Sequence, residues 1–310
     1  MATLFITHEA GLRHVTPEGH PERVERLQAI YDALRAPEFE GLERRTAPLA
    51  PEAEVLRVHA PGYLDRIRKA AAGPDPAPLD ADTWVSGGSF EAALRVVGGT
   101  NDAVDAVLGG AARNAFVAMR PPGHHALRDQ AMGFCLFSTV AIAAKRALDD
   151  LGLARVAVLD FDVHHGNGTQ EALWNEPRVM FVSSQQVPLW PGSGLHSERG
   201  AQGQILNLPL PPGSDGKVMR RDWEQALEQV AKTKPELVLV SAGFDAHRDD
   251  PLAELNWTEA DFAWLAHAIC DLAEGSCGGR VVSVLEGGYD LPALGRSVAA
   301  YVRVLMERGA

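Results

Sequence analysis

The stretch RVAVLDFDVH, residues 155–164, places an apolar run directly before a group of polar side chains. Asp160, Asp162 and His164 are spaced two residues apart, and in an extended strand side chains at this spacing project from one face. A continuous apolar run of this length is typical of a strand that is buried on both faces of a parallel sheet. We therefore predict a strand over 155–164 that carries two carboxylates and an imidazole to its carboxyl end.

Other apolar runs along the chain have the same character and alternate with segments of helical periodicity. The runs are TLFIT (3–7), NAFVAM (114–119), VMFVS (179–183), QILNL (204–208), ELVLVSA (236–242) and RVVSVLE (280–286). The helical segments span 22–36, 88–110, 137–152, 219–233 and 258–275. Such alternation predicts an α/β fold, with a mostly parallel sheet covered by helices on both faces. No repeat or long linker divides residues 1–310, so we expect a single three-layer α/β/α domain.

The composition excludes several classes of protein. With 310 residues and 46% hydrophobic content, the chain can bury a sizeable core. No apolar stretch approaches the ~20 residues that span a bilayer, and the N-terminus lacks a leader pattern, so we expect a cytoplasmic protein without membrane contact. Three scattered cysteines form neither a disulfide framework nor a four-cysteine zinc site. A net charge of −12 disfavours nucleic acid as a partner and mildly favours cationic ligands.

Three further predicted strands also end in chemically useful side chains. RPPGHHA (120–126) presents His124 and His125, GFDAHRDDP (243–251) presents Asp245, and EGGYD (286–290) presents Tyr289. Because open parallel sheets bind ligands beyond the carboxyl ends of their strands, we expect these groups to converge at one edge.

Two buried aspartates need a positive partner, and a divalent cation is the strongest one available. Two carboxylates and one imidazole leave a coordination position free, as in a mononuclear zinc hydrolase, although such an oxygen-rich set also suits iron(II) or manganese. The alternative is that the aspartates cap the next helix and the histidines are held by hydrogen bonds.

The motifs RPPGHHA, DFDVHHGNGTQ, PLWPGSG, SAGFDAHRDDP and LEGGYD occur in the order found in the histone deacetylase superfamily. The chain resembles this superfamily from about residue 8 to 291. The resemblance implies an arginase/deacetylase-like fold with an eight-stranded sheet. It also implies a zinc-dependent amidohydrolase that removes acetyl or other short acyl groups from an amine such as the lysine side chain. Asn167 stands where class I members usually have Asp, which is closer to class II and bacterial deacetylase-like amidohydrolases.

The resemblance also implies the roles of individual residues. It assigns one zinc ion to Asp162, His164 and Asp245. It also implies a structural potassium ion near Asp160, Asp162 and His164, with backbone help from Ser183 and Ser184. The catalytic set comprises the proton-transfer histidines, their partners and the oxyanion donor, namely His124, His125, Asp160, Asn167 and Tyr289. Since an aspartate favours a charged imidazole more than an amide does, we expect His124, backed by Asp160, to be the more basic histidine and His125, backed by Asn167, to be the neutral base.

The resemblance implies a substrate pocket for an acylated lysine peptide or a small acylated amine. Gly133, Phe134 and Trp190 match the walls around the methylene stem, and Asp82 matches a rim residue that holds the substrate backbone. Leu252 stands where acetylpolyamine deacetylases can carry an acidic gatekeeper, which favours acyl-lysine or a generic acyl amide. Packing in the core is the alternative role for Gly133 and Phe134, and a solvated loop position is the alternative for Asp82.

Other classes fit less well. Arginase-type enzymes bind two manganese ions and need carboxylates where this chain has Gly166 and His247. Neither a dinucleotide fingerprint nor a nucleophile elbow occurs. An acetylpolyamine deacetylase and a zinc-retaining sensor or binding module without turnover stay open as alternatives. The sequence also leaves open whether the chain forms a homo-oligomer.

Overall fold

The computed structural model describes residues 2–309, and eight of its strands form one parallel sheet. The strands are β1 (Thr3–Thr7), β2 (Glu43–Thr46), β3 (Ala77–Pro78), β4 (Trp84–Val85), β5 (Asn114–Val117), β6 (Val156–Asp160), β7 (Val179–Gln186), β8 (Ile205–Leu210), β9 (Val238–Ala242) and β10 (Val281–Leu285). The sheet order is β2-β1-β5-β10-β9-β6-β7-β8, and β3 and β4 form a separate antiparallel pair. All seven pairings within the large sheet are parallel, which confirms the predicted sheet.

Helices cover both faces of the sheet, and the fold class is therefore the predicted three-layer α/β/α arrangement. The helices are α1 (Ala10–Arg13), α2 (Glu25–Ala33), α3 (Glu52–Val55), α4 (Pro61–Ala70), α5 (Ser89–Leu108), α6 (Thr139–Asp149), α7 (Asn167–Leu173), α8 (Gly216–Thr233), α9 (Glu259–Cys277) and α10 (Leu291–Gly309), with a 3-10 turn at Pro37–Phe39. One core joins α2, α8, α9 and α10 to the sheet, and a second joins α5 and α6 to the opposite face.

Strand β6 shows why the strand sequences are continuously apolar. Val156 and Val158 pack into the core under α5 and α6, whereas Ala157 and Leu159 pack into the core on the other face. Because side chains alternate between faces and both faces are covered, the strand is apolar at every position from Val156 to Leu159, and the polar Asp160 stands only at its carboxyl end.

The structure contains several elements that the sequence did not predict, among them α1, α3, α4, α7 and the β3–β4 pair. Strand β2 was not predicted, because its residues ERRT are polar and largely exposed at the edge of the sheet. Helix α10 was also not predicted, although it packs against α2 and α9. The strand predicted over 155–164 ends at Asp160, so Asp162 and His164 lie in the turn that follows it.

The four strands that precede the candidate site residues are consecutive in the sheet. In the order β5-β10-β9-β6, they lead to His124 and His125, to Tyr289, to Asp245, and to Asp162 and His164. Parallel pairing brings all four carboxyl ends to the same edge. Within residues 2–309, no helix is long and apolar enough to cross a membrane. Cys135, Cys270 and Cys277 are buried and do not form disulfides.

Candidate metal centre

The turn after β6 is shaped by aspartate side chains. The Asp162 N–H donates to Oδ1 of Asp160 (3.2 Å), and the His164 N–H donates to Oδ1 of Asp162 (2.9 Å). Hydrogen bonds from a backbone N–H to the side chain two residues earlier favour a turn over a strand, which explains the early end of β6. The turn still brings Asp162 and His164 to one place, while Phe161 and Val163 pack into the core as the alternation predicts.

Asp162, His164 and Asp245 form a compact buried trio. Nδ1 of His164 lies 3.2 Å from Oδ1 of Asp162 and 3.1 Å from Oδ2 of Asp245. One potential ligand atom from each residue lies within 4.8 Å of the other two. The second oxygens of the carboxylates are occupied, since Val163 N–H donates to Asp245 Oδ1 (2.8 Å) and Gly287 N–H donates to Asp162 Oδ2 (2.8 Å). Oδ1 of Asp162, Oδ2 of Asp245 and Nδ1 of His164 therefore lie close together, although Asp162 Oδ1 also accepts the His164 N–H.

Two glycines leave the space that this trio fills. A Cβ atom on Gly287 would lie 2.2 Å from Asp245 Oδ2 and 2.6 Å from Asp162 Oδ2. A Cβ atom on Gly243 would lie 2.1 Å from Asp162 Oδ2. All three distances are far inside van der Waals contact, so any side chain at these positions would displace the carboxylates.

The charges of the trio fit a divalent cation. Burial lowers the pKa of His164, but Asp162 and Asp245 overcome this effect and raise it to about 10. Burial and the neighbouring Asp162 raise the pKa of Asp245 to about 7. Two buried carboxylates thus compete for one imidazolium. A bound dication would compensate the same negative charge while coordinating neutral imidazole, and the oxygen, oxygen and nitrogen donors match the ligands of zinc.

The two adjacent histidines have different partners and opposite pKa shifts. Nδ1 of His124 faces Oδ2 of Asp160 (3.0 Å), and Nδ1 of His125 faces the side-chain oxygen of Asn167 (2.8 Å). Burial alone lowers the pKa of both rings. Asp160 and Asp162 hold the pKa of His124 well above its usual value, whereas burial and the neighbouring His124 keep that of His125 well below it. The expected difference in basicity has the predicted direction.

The segment that carries Tyr289 is held by residues that the sequence did not single out. Asp250 Oδ2 accepts the Tyr289 N–H (2.7 Å), and Asp250 Oδ1 accepts the Leu252 N–H (3.0 Å). The Arg26 guanidinium donates to the Gly288 carbonyl (2.7 Å) and lies 4.9 Å from the centre of the Tyr289 ring. Burial raises the pKa of Tyr289 well above its usual value, so the hydroxyl keeps its proton.

A buried carboxylate also supports the histidine pair. Glu286 Oε2 accepts the N–H groups of Gly123 (2.7 Å) and His124 (3.2 Å), and Oε1 accepts the Ser241 hydroxyl (3.0 Å). Burial raises the pKa of Glu286 to about 7. The Glu286 side chain therefore links β9 and β10 to the turn after β5. The sequence motif EGGYD did not indicate this supporting role for its glutamate.

A cavity of about 220 Å³ opens beside the metal centre and the histidine pair. All of the predicted substrate-binding residues line it, together with His125, His164 and Tyr289 of the candidate site and with Leu189, which the sequence did not single out. The full lining is Asp82, His125, Gly133, Phe134, His164, Leu189, Trp190, Leu252 and Tyr289. Trp190 is 41% exposed, while Gly133 is buried.

The predicted potassium-binding residues lie on β7 next to the end of β6. Ser183 pairs with Asp160 in the sheet, and its buried hydroxyl has no hydrogen-bond partner within residues 2–309. The Ser184 hydroxyl accepts a hydrogen bond from Trp223 Nε1 (3.1 Å). An unpartnered buried hydroxyl beside Asp160 is compatible with a cation ligand, whereas the Ser184 hydroxyl already accepts one hydrogen bond.

The second metal position of an arginase-type site is closed. A Cβ atom on Gly166 would lie 2.2 Å from Asp160 Oδ2, so no carboxylate fits there. His247 is directed elsewhere, with Nε2 3.5 Å from Glu259 Oε1.

Known proteins of one family resemble this chain over most of its length. The family model described as "Histone deacetylase domain" matches residues 20–305. Histone deacetylase 14, chloroplastic, from Arabidopsis thaliana is 40% identical over 98% of this chain and 77% of its own length. The histone deacetylase-like amidohydrolase of Pseudomonas aeruginosa is 39% identical over 87% of this chain and 71% of its own length. The crystal structure of the HDA15 HD domain superposes with a TM-score of 0.94 at 31% identity, covering 99% of this chain and 89% of that one. The chain belongs to the histone deacetylase family.

Proposed function

We propose that this protein is a zinc-dependent amidohydrolase that removes acetyl or other short acyl groups from an amine such as the lysine side chain. The observation that carries the proposal is the placement of three potential metal ligands, two histidines of opposite basicity and a tyrosine beside one narrow cavity. Membership of a family of deacetylases and amidohydrolases supports it.

Asp162, His164 and Asp245 would hold the zinc ion. When bound, zinc lowers the pKa of a coordinated water and polarises the acyl carbonyl. His125 is the proposed base, because its low pKa leaves it neutral and able to accept the proton of the attacking water. His124 stays charged through Asp160, which gives the site a positive group next to the developing negative charge.

Tyr289 is the proposed oxyanion donor. Its ring lines the cavity, and its hydroxyl is protonated because burial raises its pKa. A fixed donor at the carbonyl oxygen stabilises the tetrahedral intermediate more than the planar substrate. Asp250 and Arg26 hold the backbone around this residue, so the donor needs little reorganisation.

The substrate proposal follows from the cavity walls. Phe134, Trp190 and Leu189 offer apolar surface to a methylene stem, and Asp82 offers a carboxylate to the backbone or amine at the rim. Leu252 stands where acetylpolyamine deacetylases can carry an acidic gatekeeper. An apolar residue at this position favours an acyl-lysine or a generic acyl amide over an acetylated polyamine.

Two further assignments complete the proposal. A potassium ion would bind at the end of β6, supported by the unpartnered Ser183 hydroxyl. Residues 1–310 would form one domain, since the sheet includes strands from Thr3 to Leu285 and α10 packs onto α2.

The test is hydrolysis of a fluorogenic acetyl-lysine amide by the purified protein before chelation, after chelation, and after zinc is restored. We expect chelation to abolish turnover and zinc to restore it. Chelator-insensitive turnover would contradict the metal mechanism. A zinc-loaded protein that hydrolyses none of a panel of acetyl-lysine peptides, longer acyl-lysines, acetylated diamines and aryl amides would instead be a binding module.

A further inference from the structure

Gly133 and Phe134 are the two central residues of a tight β-turn in the cavity wall. The Cys135 N–H donates to the Met132 carbonyl (3.0 Å), and φ is +56° at Gly133 and +67° at Phe134. Positive φ at both central positions is the pattern of a type I′ turn, which favours Asn and Gly. A bulky aromatic residue at the second position is strained. Contacts from outside the turn must therefore keep Phe134 in this conformation.

The turn has to take this shape because of its neighbours. A Cβ atom on Gly133 would lie 2.4 Å from Cδ2 of His125 and 2.5 Å from Cη2 of Trp190, so the backbone packs directly against both rings. The Phe134 ring meets the Tyr289 ring edge-on, with centres 5.7 Å apart. The turn thus lies between the proposed base and the proposed oxyanion donor, and its position sets the width of the cavity.

Thr83 supplies the main polar contact to the strained residue. The Phe134 N–H donates to Thr83 Oγ1 (3.1 Å), and the same hydroxyl donates to Asp82 Oδ1 (3.0 Å). Thr83 is fully buried. Its own N–H donates to Asp80 Oδ1 (2.6 Å), which fixes the segment that delivers the hydroxyl.

His20 supports the same arrangement from the N-terminal segment. Its Nδ1 accepts the Glu22 N–H (3.1 Å), which leaves Nε2–H to donate to the Asp82 carbonyl (2.9 Å). Its ring meets the Phe134 ring edge-on at 4.8 Å. Two segments distant in sequence therefore converge on the turn.

We infer that Thr83 is a positioning residue for substrate recognition: its hydroxyl holds the strained Met132–Cys135 turn and links the rim carboxylate of Asp82 to the wall formed by Phe134. This inference rests on the proposed function, because the cavity width matters only if a linear acylated stem passes through it. Thr83 does not line the cavity, so its effect on substrate is transmitted through Phe134 and Asp82.

The test compares Thr83→Val, which keeps the shape but removes the hydroxyl, with Thr83→Ser, which keeps the hydroxyl. For an acetyl-lysine substrate in the zinc-loaded enzyme, we expect Thr83→Val to raise KM about tenfold, the size of one lost buried hydrogen bond, with kcat changed less than about threefold. Thr83→Ser should restore KM. Thr83→Ala provides a second deletion of the hydroxyl if the valine variant folds poorly, with the same expected result.

A double-mutant cycle identifies the route of the effect. In a Phe134→Ala background, Thr83→Val should raise KM clearly less than tenfold, because the part of the effect that passes through the Phe134 wall is already lost and only the part through Asp82 remains. An undiminished tenfold effect in that background, or a serine variant as impaired as the valine variant, would overturn the inference.

Hydrogen–deuterium exchange separates this inference from the proposed function. Exchange at the amides of residues 132–135 should be faster in Thr83→Val than in wild type and near wild type in Thr83→Ser. Faster exchange in a protein that hydrolyses no acylated amine would support the role of Thr83 while the proposed function fails. Unchanged exchange in an active enzyme would overturn the role of Thr83 alone.

Discussion

The imidazole rings of His124 and His125 lie with their centres 3.9 Å apart, yet one ring is paired with a carboxylate and the other with an amide. This difference in partners favours a charged ring at 124 and a neutral ring at 125. The pH dependence of turnover should therefore change when the hydrogen-bond partner of His125, Asn167, is replaced by a carboxylate.

Asn167→Asp should raise the pKa of His125, because a carboxylate within hydrogen-bond distance favours the charged ring. As the proposed base, His125 would act when neutral, so its protonation at a higher pH would remove the base. The acidic limb of kcat/KM should then move upward by about one pH unit. Asn175→Asp, which adds the same charge at an exposed position, should leave the profile in place. An unmoved acidic limb in Asn167→Asp would remove His125 as the base.

Tyr289→Phe should lower kcat by roughly 10²- to 10³-fold while KM stays near wild type, because it removes a donor to the transition state. Zinc content, measured by mass spectrometry, should be unchanged. The matched control is Tyr301→Phe, a buried tyrosine whose hydroxyl bonds Ser283 (2.9 Å) away from the cavity. Near-normal turnover in Tyr289→Phe would exclude the tyrosine from the chemistry.

Asp250→Ala should lower kcat by about tenfold, because the Tyr289 and Leu252 N–H groups lose their buried acceptor. Asp250→Asn keeps one oxygen and should lose less. The adjacent Asp249 is half-exposed, and Asp249→Ala should leave kcat unchanged. Equal losses in the alanine and asparagine variants would mean that charge, not hydrogen bonding to Tyr289, matters at this position.

Gly287→Ala should weaken zinc binding, because its Cβ would displace the oxygens of Asp162 and Asp245. Zinc affinity measured by competition with a chromophoric chelator checks this. Gly275→Ala is the control: within α9 its Cβ meets no atom within 4 Å, and the change should stabilise the protein by about 0.5–1 kcal/mol. Wild-type zinc affinity in Gly287→Ala would contradict the tight packing of the trio.

Zinc binding to the metal-free protein should release protons. The pKa of His164 is raised to about 10 without metal, so the ring is charged at neutral pH and must lose its proton to become a ligand. Zinc affinity should therefore rise as pH increases toward that value. Titration calorimetry in buffers of different ionisation enthalpy measures the proton count, and a count of zero would contradict a charged His164.

The sequence predicts the fold well where burial dictates it. Seven of the eight strands in the large sheet overlap the apolar runs of the sequence, although β7 extends past its run to Gln186. The edge strand β2 was not predicted, because its polar and largely exposed residues show neither an apolar run nor an alternation of apolar and polar positions. The candidate metal ligands were predicted because strand ends carry unusual residues. Asp162 and His164 were predicted to lie in a strand, because periodicity does not show the hydrogen bonds to the Asp160 and Asp162 side chains.

The residues that support the site were harder to predict. Asp250 sits beside Asp249 in an acidic motif, and nothing in the sequence indicates which one bonds the Tyr289 N–H. Thr83 and His20 are each more than 50 residues away from Phe134 in the sequence. Only the folded chain therefore shows that both contact it.

Anomalous scattering at the zinc edge, recorded from crystals of the zinc-loaded protein, tests the metal centre most directly. We predict one strong peak enclosed by Asp162, His164 and Asp245, within about 2.3 Å of an oxygen or nitrogen of each. A peak bound elsewhere in the chain, or no peak at this trio in an enzyme that still hydrolyses acyl amides, would contradict the account.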